Sequence, residues 1–173
     1  ISDPAHERKL VIADTRLVPT MAALDPVLMA GLPRHVTAAT GMDAMTHAIE
    51  AFVGQWSTDF TDRMALAAVG MIYENLRLAY KNGKNLAARE QMALAATCAG
   101  LAFTRANVGY VHAIAHQLGG KYHTPHGLAN AIMLPPRPPP DSFAPSAPAL
   151  RAAEISWSSS GDEMVICCKS AWF

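Results

Sequence analysis

Four of the seven histidines, His112, His116, His123 and His126, fall inside the apolar stretch from Gly109 to Gly127. Imidazole nitrogens at that density are the donor set of a transition-metal site. A fifth, His47, follows Asp43 by four residues in Thr40-Gly41-Met42-Asp43-Ala44-Met45-Thr46-His47. On a helix that spacing puts carboxylate and imidazole on one side, one turn apart. Taken alone, Asp43 fits a capping box opened by Thr40, and His47 fits a hydrogen-bonded core histidine. As a pair flanked by Met42, Met45, Ala48 and Ile49 they bury an anion, which a divalent cation compensates. The two segments together read as a metal site.

His112 and His116 repeat the i,i+4 spacing, but Ala113 stands where the zinc-protease helix motif carries its glutamate, which excludes that chemistry. His123 and His126 fall on a loop and on the first turn of the next helix. Spacing alone does not choose among His112, His116, His123 and His126. One carboxylate with two or three imidazoles suits Fe(II) or Zn(II), whereas Mg(II) and Ca(II) demand more oxygens. Such a set leaves a coordination position open, which is where chemistry occurs.

The elements that must hold these residues are mostly helical. Leu10 to Ala13 and Met21 to Leu24 read as two short strands near the N-terminus. From Pro33 onward helices follow: one from Gly41 to Val53 with Thr40 as N-cap, and a second opened by Ser57 or Thr58 and stopped at Asn82-Gly83. The second carries a core stripe at Met64, Ala68, Met71, Ile72, Leu76 and Ala79. A third, Ala-rich helix is expected from Leu86 to Thr104 and a fourth from Val108 to Leu118, broken by Gly119-Gly120. A fifth runs toward Leu134, with Thr124 as N-cap and Pro125 at its first position. Seven of the twelve prolines then crowd Pro135 to Pro148, a composition that cannot continue a helix. It reads as a linker or an out-of-frame tail in preference to a proline-rich ligand.

Composition narrows the function classes. With 51% hydrophobic and 16% charged residues in 173, the chain is globular and large enough for one core. Fourteen basic residues balance fourteen acidic ones with no basic stripe, so no nucleic-acid or anionic-membrane partner is expected. No stretch approaches the ~18 apolar residues of a spanning helix, and the N-terminus lacks a signal-peptide run. Cys98 stands alone and Cys167 adjoins Cys168, which is no disulfide framework. A cytoplasmic protein acting on a small molecule is expected.

Two segments resemble the signatures of the iron-containing, or group III, alcohol dehydrogenases. They are Pro33-x4-Ala38-x-Thr40-x2-Asp43-Ala44-Met45-x4-Glu50 and the stretch from Gly109 through Ala129. The resemblance covers residues 1 to about 134, a boundary good to a few residues. It implies a mainly α fold: a truncated helical metal-binding domain over 31–134, preceded by a 1–30 remnant of an α/β nucleotide-binding domain and followed by a 135–173 tail outside the family. It implies Asp43, His47, His112 and His126 as metal ligands and His116 as a proton relay beside nicotinamide and substrate. Lys9 and Val11 occupy positions that resemble cofactor contacts, and His123 matches no ligand.

The implied reaction is alcohol and aldehyde interconversion by hydride transfer with NAD(P) and Fe(II) or Zn(II). No Gly-rich phosphate loop occurs in the sequence, so weak or absent dehydrogenase activity is expected of this chain alone. Two other readings compete: a metal-water hydrolase acting on small esters, and a non-catalytic helical remnant. Gly-x-Ser-x-Gly is absent, which disfavours a serine esterase. Apolar faces left without partners predict a homo-oligomer.

Overall fold

The computed structural model describes residues 2–12, 14–134, 153–157 and 164–168. The chain divides into two units, Ile1–Leu134 and Pro135–Phe173. In the first, five helices carry the fold: α1 (Arg34–Val53), α2 (Asp59–Lys81), α3 (Leu86–Ala106), α4 (Tyr110–Tyr122) and α5 (His126–Met133).

Strands β1 (Ser2–Asp3) and β2 (Arg8–Lys9) precede the helices as a two-residue antiparallel pair. The Asp3 carboxylate holds their turn by bonding His6 Nδ1 at 2.9 Å and Arg8 Nε at 3.1 Å. The two strands expected from the apolar runs do not form among the described residues. Residues 10–12 and 21–24 lie outside any strand, with Val11 78% and Met21 86% exposed. An apolar run supplies a face but no neighbouring backbone, and a strand needs both.

Helix α2 starts as its sequence predicts. Thr58 is the N-cap, and Thr58 and Thr61 close a reciprocal capping box. Ala68, Ile72 and Ala79 of the expected stripe are buried, while Met64, Met71 and Leu76 are half-buried. Helix α3 begins at the Asn85 cap, whose side chain accepts from Ala88 N–H at 3.1 Å. It buries Ala88, Met92, Ala95, Ala99, Ala102 and Ala106 at alternating three- and four-residue steps. Small residues at that period let helix axes approach closely. Arg89 fastens the α2–α3 turn to α1, donating from Nη1 to Thr37 Oγ1 at 2.8 Å and from Nε to the Gly83 carbonyl at 3.0 Å.

Helix α1 is the central element, packed against α2, α3 and α5. It buries Gly41, Ala44, Met45, Thr46, Ala48, Ile49, Glu50 and Ala51. It begins at Arg34, two turns before the expected start. Thr40 is therefore interior, its hydroxyl donating back to the Val36 carbonyl at 2.9 Å, and the capping-box reading of Asp43 fails.

Two glycine expectations also change. Helix α4 runs through Gly119-Gly120 because Gly120 lies against the β1–β2 turn, where a Cβ would stand 2.7 Å from the Glu7 carbonyl oxygen. Packing there outweighs the modest helix propensity cost of glycine. Helix α5 has Pro125 as N-cap, so Thr124 lies one residue outside it and makes no cap bond. At Gly127 a Cβ would overlap the Ala39 carbonyl, which shows how closely α5 lies on α1.

In the second unit, β3 (Ala153–Trp157) pairs antiparallel with β4 (Met164–Cys168), Ile155 opposite Ile166. The proline-rich stretch 135–148 lies outside the described residues. No helix among the described residues is long and apolar enough to cross a membrane.

Candidate metal centre

Asp43, His47 and Glu50 occupy positions i, i+4 and i+7 of α1, on one helix face. That face meets the start of α4, which brings His112 and His116, and the start of α5, which brings His126 and Asn130. Helix α1 and the much later, consecutive helices α4 and α5 therefore deliver side chains to one spot.

One carboxylate oxygen and two imidazole nitrogens converge there. Asp43 Oδ1 lies 3.4 Å from His112 Nε2 and 3.3 Å from His126 Nε2. One donor atom from each of Asp43, His112 and His126 can be chosen so that all lie within 4.8 Å of one another. Asn130 Nδ2 stands among them, donating to Asp43 Oδ1 at 2.5 Å and lying 3.1 Å from His112 Nε2 and 3.2 Å from His126 Nε2. Asn130 Oδ1 is buried with no hydrogen-bond partner in the described structure.

The structure places the other expected residues differently. His47 is not in the converging group; its ring lies parallel to His112 at a centroid distance of 4.4 Å and stacks on Phe103 at 4.3 Å. His116 stacks on His126 at 5.1 Å and meets His112 edge-on at 6.0 Å, half-buried. His123 is the exposed C-cap just beyond α4, in the left-handed conformation with φ 55. Lys9 pairs with Ser2 in the β1–β2 ladder, and Val11 is exposed.

Glu50 and Asn130 carry much of the geometry, and residue-by-residue reading of the sequence assigned neither a role. Glu50 is buried and approaches His112 Nδ1 to 2.5 Å. Its signal was its place one turn beyond His47 on the Asp43 face. Asn130 is fully buried, and its signal was the i+4 spacing from His126.

Electrostatics favour positive charge at this spot. Burial pushes the Asp43 carboxyl up, but His112, His47, His126 and Asn130 together hold it below its ordinary value. Burial likewise pushes Glu50 up, and hydrogen bonds from His112 and from the Gly109 and Val111 backbone reverse this. Burial opposes the His112 imidazolium, yet the Asp43 and Glu50 carboxylates outweigh it and raise His112 to about 9. His47 is lowered to about 4, chiefly by burial. A site that raises one base and ionises two acids accommodates a proton on His112 or a cation in its place. The donor set, one carboxylate oxygen and imidazole nitrogens, fits a borderline transition-metal ion such as Fe(II) or Zn(II).

Comparison with known proteins agrees with this chemistry. The sequence profile described as the Fe-containing alcohol dehydrogenase family, C-terminal, matches residues 37–137. The chain is 54% identical over 127 residues to 1,3-propanediol dehydrogenase of Citrobacter freundii, covering 73% of this chain and 33% of that protein. It is 50% identical over 135 residues to alcohol dehydrogenase 4 of Saccharomyces cerevisiae, covering 78% and 35%. A crystal structure of an iron-containing alcohol dehydrogenase from Thermococcus thioreducens superposes with a TM-score of 0.66 at 36% identity, covering 70% of this chain and 31% of that one. A 1,3-propanediol oxidoreductase crystal structure gives a TM-score of 0.64 at 57% identity, covering 64% and 29%. The chain spans about a third of the length of the curated relatives it matches.

Proposed function

Because the chain belongs to the Fe-containing alcohol dehydrogenase family and carries part of its C-terminal helical domain, we propose that it provides the metal-binding half of an NAD(P)-linked alcohol dehydrogenase site. The observation that carries this reading is the convergence of Asp43, His112 and His126, whose donor atoms lie within 4.8 Å of one another. His47, stacked one turn along α1 from Asp43, is the fourth ligand in this reading.

A divalent ion held there, Fe(II) or Zn(II), supplies Lewis acidity that lowers the pKa of an alcohol and eases hydride loss to NAD(P). The residues of the chain do the rest. Asp43 would supply the negative charge that holds such a cation, and α1, α4 and α5 set the spacing of its carboxylate from the His112 and His126 imidazoles. His116, half-buried beside His126, takes the alcohol proton and passes it outward. Phe103 and the buried alanines of α3 keep bulk water from the His47 side of the site. Lys9 and Val11 are the contribution of this chain to nucleotide contact. An alcohol or aldehyde of the kind named in the relatives is the substrate class.

Elemental analysis of the purified chain tests this, together with NAD(P)-linked oxidation of 1,3-propanediol and simple alcohols with and without a chelator. The expected result is about one Fe or Zn per chain, lost in Asp43→Asn and His126→Ala, with weak turnover because no Gly-rich phosphate loop is encoded in these residues. Metal content indifferent to both substitutions would overturn the reading.

A further inference from the structure

Glu50 is 6% exposed and lies outside the converging group, yet every polar contact it makes points to α4. Oε1 accepts from Val111 N–H at 2.7 Å, and Oε2 accepts from His112 N–H at 3.3 Å and from His112 Nδ1 at 2.5 Å. These backbone donors belong to the first turn of α4, whose own N-cap, Gly109, offers no side chain to satisfy them. A carboxylate from a neighbouring helix therefore caps α4, where the helix dipole favours negative charge. The chain makes room for it: a Cβ at Gly109 would stand 2.8 Å from Glu50 Oε1.

Capping α4 leaves Oε2 with a second task. A neutral imidazole has one N–H, and donating it from Nδ1 to Glu50 leaves the lone pair on Nε2. Nε2 is the atom that faces Asp43 Oδ1, at 3.4 Å. We propose that Glu50 is a positioning residue: it fixes the tautomer and heading of His112 so that Nε2 is presented to a divalent cation shared with Asp43 and His126. The inference rests on the metal-site reading above, and adds a carboxylate–histidine–metal relay to it. Glutamine cannot replace Glu50 in this role. Its NH2 group would face either His112 Nδ1, forcing the proton to Nε2, or the Val111 N–H.

The test is Zn2+ titration of the full chain in competition with a chromophoric chelator, for the wild type, Glu50→Gln, Gly109→Ala and His126→Ala. Glu50→Gln is expected to weaken Zn2+ binding by about 10–100-fold, the range for lost outer-shell partners of a ligating histidine. Gly109→Ala keeps the carboxylate but displaces it, and moves affinity in the same direction. Nitrogen-15 NMR of the Zn2+-loaded proteins should show His112 bound through Nε2 and protonated at Nδ1 in the wild type but not in Glu50→Gln; the same state in both would leave Glu50 a purely structural role and overturn the proposal. Should Glu50→Gln melt earlier yet bind Zn2+ as the wild type does, Glu50 is only a cap and the proposal falls. If Glu50→Gln does not fold, wild-type affinity in folded Gly109→Ala has the same force. Tight binding that is lost in His126→Ala but kept in Glu50→Gln sinks the role of Glu50 alone. Equal weak binding by wild type and His126→Ala sinks the metal site and Glu50 with it.

Discussion

The side-chain amide of Asn130 lies 2.5 Å from the carboxylate of Asp43 and joins α5 to α1 at the centre of the histidine cluster. A single Nδ2 group has two protons, and here it stands within 3.2 Å of three electron-rich atoms. The cluster attracts positive character more strongly than one amide can supply.

Asn130→Ala should therefore destabilise the chelator-treated protein by about 1–3 kcal/mol, the range for a lost hydrogen bond to a charged group, here the half-buried Asp43 carboxylate. Zn2+ should recover most of that loss, since the cation takes over the carboxylate. Urea denaturation with and without Zn2+ measures both; equal losses in the two conditions would show that Asn130 acts through packing alone.

Stability of the metal-free protein should peak near neutral pH. His112 is raised from 6.5 to about 9, so its contribution is fully present below pH 6.5 and is lost as pH rises toward 9. His47 is lowered from 6.5 to about 4, so its neutral form favours folding above pH 6.5 and stability is lost as pH falls from there toward 4. Urea midpoints across pH 4 to 9 should fall on both sides of a maximum near 6.5. His47→Gln should flatten the acidic limb below pH 6.5, leaving the fall near pH 4 that the depressed Asp43 and Glu50 carboxyls contribute, and an unchanged acidic limb would contradict the assignment.

Gly127→Ala and Gly70→Ala should change stability in opposite directions. At Gly127 the new methyl overlaps the Ala39 carbonyl, so α5 must move off α1, costing about 1–3 kcal/mol and displacing His126. At Gly70, inside α2, nothing lies within 4 Å, and alanine should stabilise by about 0.5–1 kcal/mol. Thermal melts and Zn2+ titration of the pair check this, and Zn2+ affinity should drop only in Gly127→Ala.

The segment before α1 presents Val11, Ile12, Val18, Met21 and Leu28, each more than 60% exposed. The homo-oligomer expected from the sequence would cover such a stretch. Light scattering at micromolar concentration should give a mass above the monomer, and Val11→Glu with Met21→Glu should lower it. A clean wild-type monomer would refute that expectation.

Much of the helical frame is legible in the sequence. Thr58 and the Asn82-Gly83 stop are local signals, because a cap or a breaker acts on backbone groups within a turn of itself. The same locality explains the failures. Thr40 has the chemistry of a cap, but the helix it should open is already two turns old, stabilised by burial of Thr37 and Gly41 against its neighbours. Gly119-Gly120 has the chemistry of a break, but the approach of the β1–β2 turn favours glycine inside a continuous helix. Leu10 to Ile12 has the chemistry of a strand but lies outside any strand.

By itself the sequence determined the kinds of donor, the i,i+4 pairing of Asp43 with His47, and membership of a metal-binding helical domain, because residue type and helical period are properties of neighbouring positions. Which imidazoles meet Asp43 was decided by tertiary structure alone. His112 and His116 share a helix and a spacing, and only the crossing of α1, α4 and α5 turns the first toward the carboxylate and the second toward His126. The roles of Glu50 and Asn130 arise the same way, from contacts 62 and 87 residues apart in the chain. No local pattern encodes such distances, because they are set by how closely small residues let the helices pack.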